Sequence, residues 1–117
     1  MHDLAALRLY FPSSSRASRT RFWHHLSAPA LAHHLLIVAR RAGVEQVILH
    51  HVDSGYLKGH RLSHHHPDAH AMHHPQCLEL VDQKGKLERF LKEHAEEIKK
   101  VRVLMFQGEA LKAVPTE

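Results

Sequence analysis

Apolar and polar positions alternate first at Leu7-Arg8-Leu9-Tyr10-Phe11. A period of two marks a half-buried strand, and Pro12, which cannot donate to a ladder, predicts its end. Pro12 to Arg21 is rich in Ser and Arg without periodicity and reads as a loop. The period then changes. Leu31, Leu35, Val38 and Ala42 fall at helical spacing, behind Ser27 as a possible N-cap and Pro29 in the first turn. Gly43 stands where a helix stops in the left-handed conformation, with Arg40 and Arg41 favourably placed in the last turn. Phe22 and Trp23 are expected to pack the lead-in to this helix.

Val44 to Val52 is rich in β-branched residues and predicts a second strand. Ser54 to Pro75 breaks the pattern with Gly55, Gly59, Pro67, Pro75 and seven histidines, and predicts a long mobile loop. Gln76 to Val81 reads as a third strand. Gln83-Lys84-Gly85-Lys86 reads as a turn into a second helix, whose Leu87, Phe90, Leu91, His94 and Ile98 share one face. Its charges, Glu88, Glu93, Glu96 and Glu97 with Lys92, Lys99 and Lys100, read as a solvated face. Val101 to Phe106 makes a fourth strand that Gly108 ends, with a peripheral tail to Glu117.

The resulting order, β-α-β-β-α-β, predicts one α+β domain over residues 1–117. It is the ferredoxin-like sandwich, a four-stranded antiparallel sheet with both helices on one face. The uncovered face of such a sheet in a small protein favours assembly with copies of itself.

Composition narrows the classes. The chain has 117 residues, 44% of them hydrophobic, enough for one core. No apolar run approaches the roughly 20 residues of a membrane span. The best stretch, Leu31 to Ala39, contains His33 and His34. The start, Met1-His2-Asp3-Leu4, lacks the basic and apolar regions of a secretory signal, so a cytoplasmic protein is expected. A single cysteine, Cys77, excludes an internal disulfide and a multi-cysteine metal cluster, and reads as a small buried hydrophobe on a strand. The formal charge of +4 with few aromatics reads as a solvated basic face rather than a nucleic-acid surface. No nucleophile elbow, HExxH or phosphate-binding Walker loop occurs, and no pair of catalytic carboxylates is evident. A non-enzyme is expected.

The order of elements, with a long loop after the second strand, resembles the PII-like signalling proteins, and most of all their short uncharacterised relatives. The carrying residues are Leu7-Arg8-Leu9-Tyr10-Phe11, Ala39-Arg40-Arg41-Ala42-Gly43-Val44 and Val47-Ile48-Leu49, then Asp53-Ser54-Gly55-Tyr56 and Gly59-His60-Arg61. Glu79-Leu80-Val81-Asp82 leading into Lys86-Leu87-Glu88-Arg89-Phe90-Leu91 completes the set, which spans about residues 5–106. The resemblance implies a homotrimer with adenine nucleotides (ATP, ADP or AMP) or other small anions bound between subunits. It also implies a loop that contacts a membrane transporter or an enzyme. Carried over by position, it implies a nucleotide cleft of Gly55, Lys58, Arg61, Lys84, Gly85, Lys86 and Arg102. A helix N-terminus behind Lys84-Gly85-Lys86 suits phosphate, and Arg102 suits a bidentate contact. The same residues read equally as a solvated basic turn and a solvated sheet-edge arginine. Two features depart from the family: Leu57 follows Gly55-Tyr56 where the family has a second glycine, and the loop histidines are not a family trait.

Fifteen residues are histidine, and His60, His64, His65, His66, His70, His73 and His74 crowd the loop at 54–75. Neutral imidazole is a ligand for Zn, Ni, Cu or Co, and Asp68 adds a carboxylate. Metal binding and a polar, pH-sensitive partner epitope both fit such a tract. The adjacent pairs His24-His25, His33-His34 and His50-His51 diverge on a helix or a strand, so each is expected to offer one packed and one exposed ring. His94 reads as a semi-buried, satisfied histidine.

Overall fold

The computed structural model describes residues 4–17, 30–64 and 73–112. The first strand, β1 (Leu4–Pro12), alternates half-buried and buried side chains along its whole length. It is followed by α1 (Leu31–Arg41), β2 (Gln46–His50), the short β3 (Ser54–Gly55) and β4 (Ser63–His64), β5 (Pro75–Gln83), α2 (Lys84–Glu93) and β6 (Arg102–Gly108). Four strands form one sheet in the order β2-β5-β1-β6, each pair antiparallel, and β3 and β4 form a separate hairpin. This two-helix, four-stranded antiparallel architecture is consistent with a ferredoxin-like arrangement. Among the described residues no helix is long and apolar enough to cross a membrane.

One face of the sheet carries the core. Leu7, Leu9 and Phe11 of β1 and Leu78 and Leu80 of β5 are fully buried together with Leu35 of α1 and Leu87 of α2. Val47, Leu49, Val103 and Met105 widen this layer toward the sheet edges. The period-two pattern in the sequence follows from this one-sided burial.

Several boundaries differ from the expectations. β1 begins at Leu4, three residues early, because Leu4-Ala5-Ala6 are held by ladders on both sides: Ala5 faces Asp82 and Gln107. β2 is only Gln46–His50, shorter than Val44 to Val52. α1 starts behind Ala30, which provides no side-chain cap. Ser27, Pro29, Phe22 and Trp23 lie outside the described residues. The buried face of α1 is Leu31, Ala32, Leu35 and Ala39, while Ala42 is exposed at the C-cap. There, Gly43 N–H donates to Arg40 C=O and Val44 N–H to Ala39 C=O, the paired bonds of a Schellman end, with Gly43 at φ +76°. Lys84-Gly85-Lys86 is not a turn but the first turn of α2, which follows β5 directly. α2 itself ends at Glu93, and Ile98 is buried from the irregular turns beyond it.

The opposite sheet face is open. Register places His50, Cys77, Tyr10 and Arg102 in one row across it, Ile48, Glu79, Arg8 and Leu104 in the next, and Gln46, Val81, Ala6 and Phe106 in the third. At its centre Arg8 Nε donates to Glu79 Oε2 at 2.8 Å, and the guanidinium lies 5.0 Å from the Phe106 ring centroid. The Glu79 bond, followed by that to Tyr10, holds the Arg8 proton more tightly than usual. Burial pushes the Cys77 thiol up, against the opposing effects of the Tyr10 hydrogen bond and the Arg8 charge. Cys77 is thus the small buried residue expected, on the side of the sheet away from the helices.

Candidate functional site

The segment read as a mobile loop is partly built. After β2 the chain turns through Val52 and Asp53 into the β3–β4 hairpin, where Ser54 faces His64 and Gly55 faces Ser63. Its tip is closed by the bond from His60 N–H to Leu57 C=O at 2.9 Å, with Gly59 at φ +82°. A positive φ at the third position of such a turn is why glycine serves there.

His74 anchors the hairpin to the sheet. Its Nε2 lies 2.7 Å from Val52 C=O, which only accepts, so Nε2 carries the proton. Nδ1 then accepts from the Ser63 hydroxyl at 2.9 Å. The His74 C=O receives Ser13 N–H at 2.8 Å, tying the same residue to the end of β1. On the far side the Ser54 hydroxyl donates to Asp53 Oδ2 at 2.9 Å, so His64 Nδ1 carries the proton across the 2.8 Å to Ser54 Oγ. His74→Ala removes both ring bonds, while the backbone bond to Ser13 stays, and is expected to destabilise this segment by about 1–2 kcal/mol. Faster amide exchange confined to residues 52–64 checks it.

Of the histidines expected to bind metal, His60, His64, His73 and His74 are described, whereas His65, His66 and His70, with Asp68, lie outside the described residues. His60 and His73 stack at 4.6 Å between centroids, and His60 Nδ1 is buried without a hydrogen-bond partner. His74 spends both ring nitrogens on the anchor. Among the described residues no three His, Cys, Asp or Glu side chains converge to hold an ion.

The seven residues of the implied nucleotide cleft separate into two groups. Gly55, Lys58 and Arg61 lie on the hairpin, reached from the Pro75 end of β5. Arg102 opposes Tyr10, at the same end of the sheet. Lys84, Gly85 and Lys86 lie beyond the other end of β5, roughly 25 Å away at about 3.3 Å per residue. A single chain does not bring them together. Lys86 is also occupied: its ammonium donates to Gly43 C=O and pairs with Asp82 Oδ2 at 3.2 Å.

Sequence reasoning missed a second region. A pocket of about 300 Å³ opens between the end of the β1–α1 connection and the turns after α2, lined by Ser15, Arg16, Leu31, Glu96, Glu97, Lys99, Lys100 and Val101. Of the helix-two acids, Lys99 pairs with Glu96 on the surface as expected. Glu97 instead turns inward to His34 and His94. His33 is exposed and His34 half-buried, as the divergence of neighbours on a helix predicts, but His50 and His51 are both exposed. His94 packs on Phe90 at 4.5 Å and is the semi-buried histidine expected. The signal for Glu97 was faint: it sits beside Ile98, the last apolar position of the helical pattern, where a neighbour is drawn inward. No protein-family model and no curated protein matches the chain.

Proposed function

We propose that this chain is a regulatory or sensor subunit of the PII-like kind, not an enzyme. In this reading it assembles as a homotrimer through the open face of its sheet and takes an adenine nucleotide or another small anion between subunits. It signals through the histidine-bearing hairpin to a membrane transporter or an enzyme in the cytoplasm. The observation that carries the reading is the open face itself. A single-layered sheet leaves Ile48 43%, Leu104 39% and Phe106 45% exposed around a central ion pair, beside a closed core on the other side. Exposed apolar side chains grouped on one face favour an interface.

The split of the cationic residues fits the same scheme. Gly55, Lys58, Arg61 and Arg102 at one end of the sheet meet Lys84, Gly85 and Lys86 only if the second group comes from a neighbouring subunit. Nucleotide binding should therefore depend on assembly. Titration calorimetry with ATP, ADP and AMP, run beside light scattering, is expected to give saturable binding by the assembled protein. A folded trimer that binds none of them at millimolar concentration removes the nucleotide reading.

A second reading is favoured by the stacked His60 and His73 and the unpartnered His60 Nδ1. Here the segment captures Zn, Ni, Cu or Co with His60, His64 and His73 and with His65, His66 and His70, the ion ordering the loop for its partner. Replacing those six histidines with Asn should abolish stoichiometric zinc or nickel uptake. Unchanged affinity and stoichiometry would eliminate metal capture.

A further inference from the structure

The tip of the β3–β4 hairpin is apolar and cationic at once. The register that pairs Ser54 with His64 and Gly55 with Ser63 puts Tyr56 and Leu62 next in line on the two arms. They are 67% and 62% exposed, well above the apolar side chains of the open sheet face. Lys58 and Arg61 stand exposed in the turn between them. Among the described residues neither cation has an ion-pair partner. Residues 54–64 contain no Asp or Glu. The adjoining acid, Asp53, accepts from the Ser54 hydroxyl at the base of the hairpin. The two arms pack chiefly on each other, not on the helices or the larger sheet. The bond from His60 N–H to Leu57 C=O sets the turn, and His74 ties the base to the chain after β2 and to the end of β1. Folding thus leaves two large apolar side chains and two cations in water, together, on an anchored hairpin.

We propose that this tip docks the protein on an anionic phospholipid bilayer, with Tyr56 and Leu62 dipping into the interface and Lys58 and Arg61 on the headgroups. Each side chain suits its place. Tyrosine settles at the membrane–water boundary, where its ring is apolar and its hydroxyl stays wet. Leucine gains by leaving water for the acyl boundary. Lysine and arginine lay their stems beside the apolar pair and reach the headgroup phosphates with their charged ends. A protein partner fits less well. Two side chains at a tight turn supply only a fraction of the about 800 Å² that a standard protein interface takes from each side. Docking of this kind is shallow and reversible, and no span of the bilayer is involved. The proposal shares the hairpin with the reading above but needs no nucleotide, metal or assembly, so either can fail alone.

Vesicles of phosphatidylcholine with about one third phosphatidylglycerol are the probe, and pure phosphatidylcholine vesicles the control. Co-sedimentation of the full chain is run without nucleotide and with a metal chelator, which keeps the two readings above out of the result. Each Lys or Arg near an anionic surface favours partitioning by about fivefold, so the full chain should bind the anionic vesicles roughly tenfold or more tighter than the neutral ones. Added salt should weaken that preference. Tyr56→Ser with Leu62→Ser, both at exposed positions, should bind the anionic vesicles about tenfold more weakly, with an unchanged circular-dichroism melt. Lys58→Glu with Arg61→Glu should erase the preference for anionic lipid. The chain's single tryptophan is Trp23, so the added signal of Tyr56→Trp can be read as a difference from the unaltered protein. It should move to the blue on the anionic vesicles. The proposal is overturned by equal binding to the two kinds of vesicle or by an unshifted emission from Tyr56→Trp. It is overturned equally if Tyr56→Ser with Leu62→Ser binds as tightly as the unaltered protein, which would assign the adsorption to another basic face. Absence of vesicle binding by the folded chain would also end it and leave the tip to a protein partner.

Discussion

Asp82→Ala is expected to lower the unfolding free energy by about 3 kcal/mol, measured by urea denaturation. Asp82 ends the buried row of β5 and is 5% exposed. Its Oδ2 accepts Glu45 N–H at 2.9 Å and its Oδ1 accepts Gln83 N–H at 2.7 Å. Lys86 reaches Asp82 from the first turn of α2 and, with the same ammonium, Gly43 C=O at the end of α1. One carboxylate thus joins the α1–β2 turn, the end of β5 and the start of α2. Alanine strands the Glu45 and Gln83 N–H groups, which are part-buried, so each loss falls toward the low end of the about 1–3 kcal/mol that a buried donor without a partner costs. Asp82→Asn keeps one acceptor and should lose less. The pH dependence has a definite sign. Burial alone would raise the Asp82 carboxyl, but the Gln83 and Glu45 N–H groups and Lys86 outweigh it and hold it below the ordinary range. A depressed folded-state value means the stabilisation is complete above the unfolded value, about pH 4. It disappears as pH falls through the folded value. Wild type and Asp82→Asn should therefore keep their full difference above about pH 4 and converge only as the pH falls below it, through the depressed folded value. Equal stability at neutral pH would remove Asp82 as the pin of these three segments.

Where one face of an element is buried, the sequence pattern was enough to read it. Leu7, Leu9 and Phe11 alternate because β1 has helices on one side only, and Gly43 ends α1 because a Schellman turn needs a positive φ. Tertiary pairing decided the rest. Ala5 and Ala6 have little strand preference, but β5 and β6 hold them from both sides. The β3–β4 hairpin escaped notice because two-residue strands carry no period, and glycine and histidine dominate the segment. The implied ligand residues show the limit of carry-over by position. Lys84, Gly85 and Lys86 look like a phosphate turn in the sequence, but β5 runs straight into α2 and leaves them at the far end of the sheet from Gly55 and Arg102. The pocket of Arg16 and Lys100 joins positions more than eighty residues apart, and His34 meets Glu97 across the helical layer. No local spacing announces contacts of that kind.

On the proposed assembly through the open face, Leu104→Glu combined with Phe106→Glu is expected to yield monomers, read by size exclusion with light scattering. Both residues belong to β6 and point to the open face, in the rows that contain Arg8 and Ala6. In a single chain they are 39% and 45% exposed, so glutamate there should change folding by only about 0.5 kcal/mol. In an interface the same carboxylates would be taken out of water, and an uncompensated buried charge costs about 3–5 kcal/mol. The penalty recurs in every copy, so even a tight assembly should dissociate. Arg8 offers a partial escape, since its guanidinium already lies 5.0 Å from the Phe106 ring and could turn toward the new charge. Doing so would weaken its 2.8 Å bond to Glu79 and leave that half-shielded carboxylate without its main partner. The double variant should therefore remain folded, lose the concentration dependence of its melting temperature and lose nucleotide binding together with assembly. An unaltered protein that is already monomeric at high concentration would show that the open face is a finished surface, and the intersubunit cleft would fall with it.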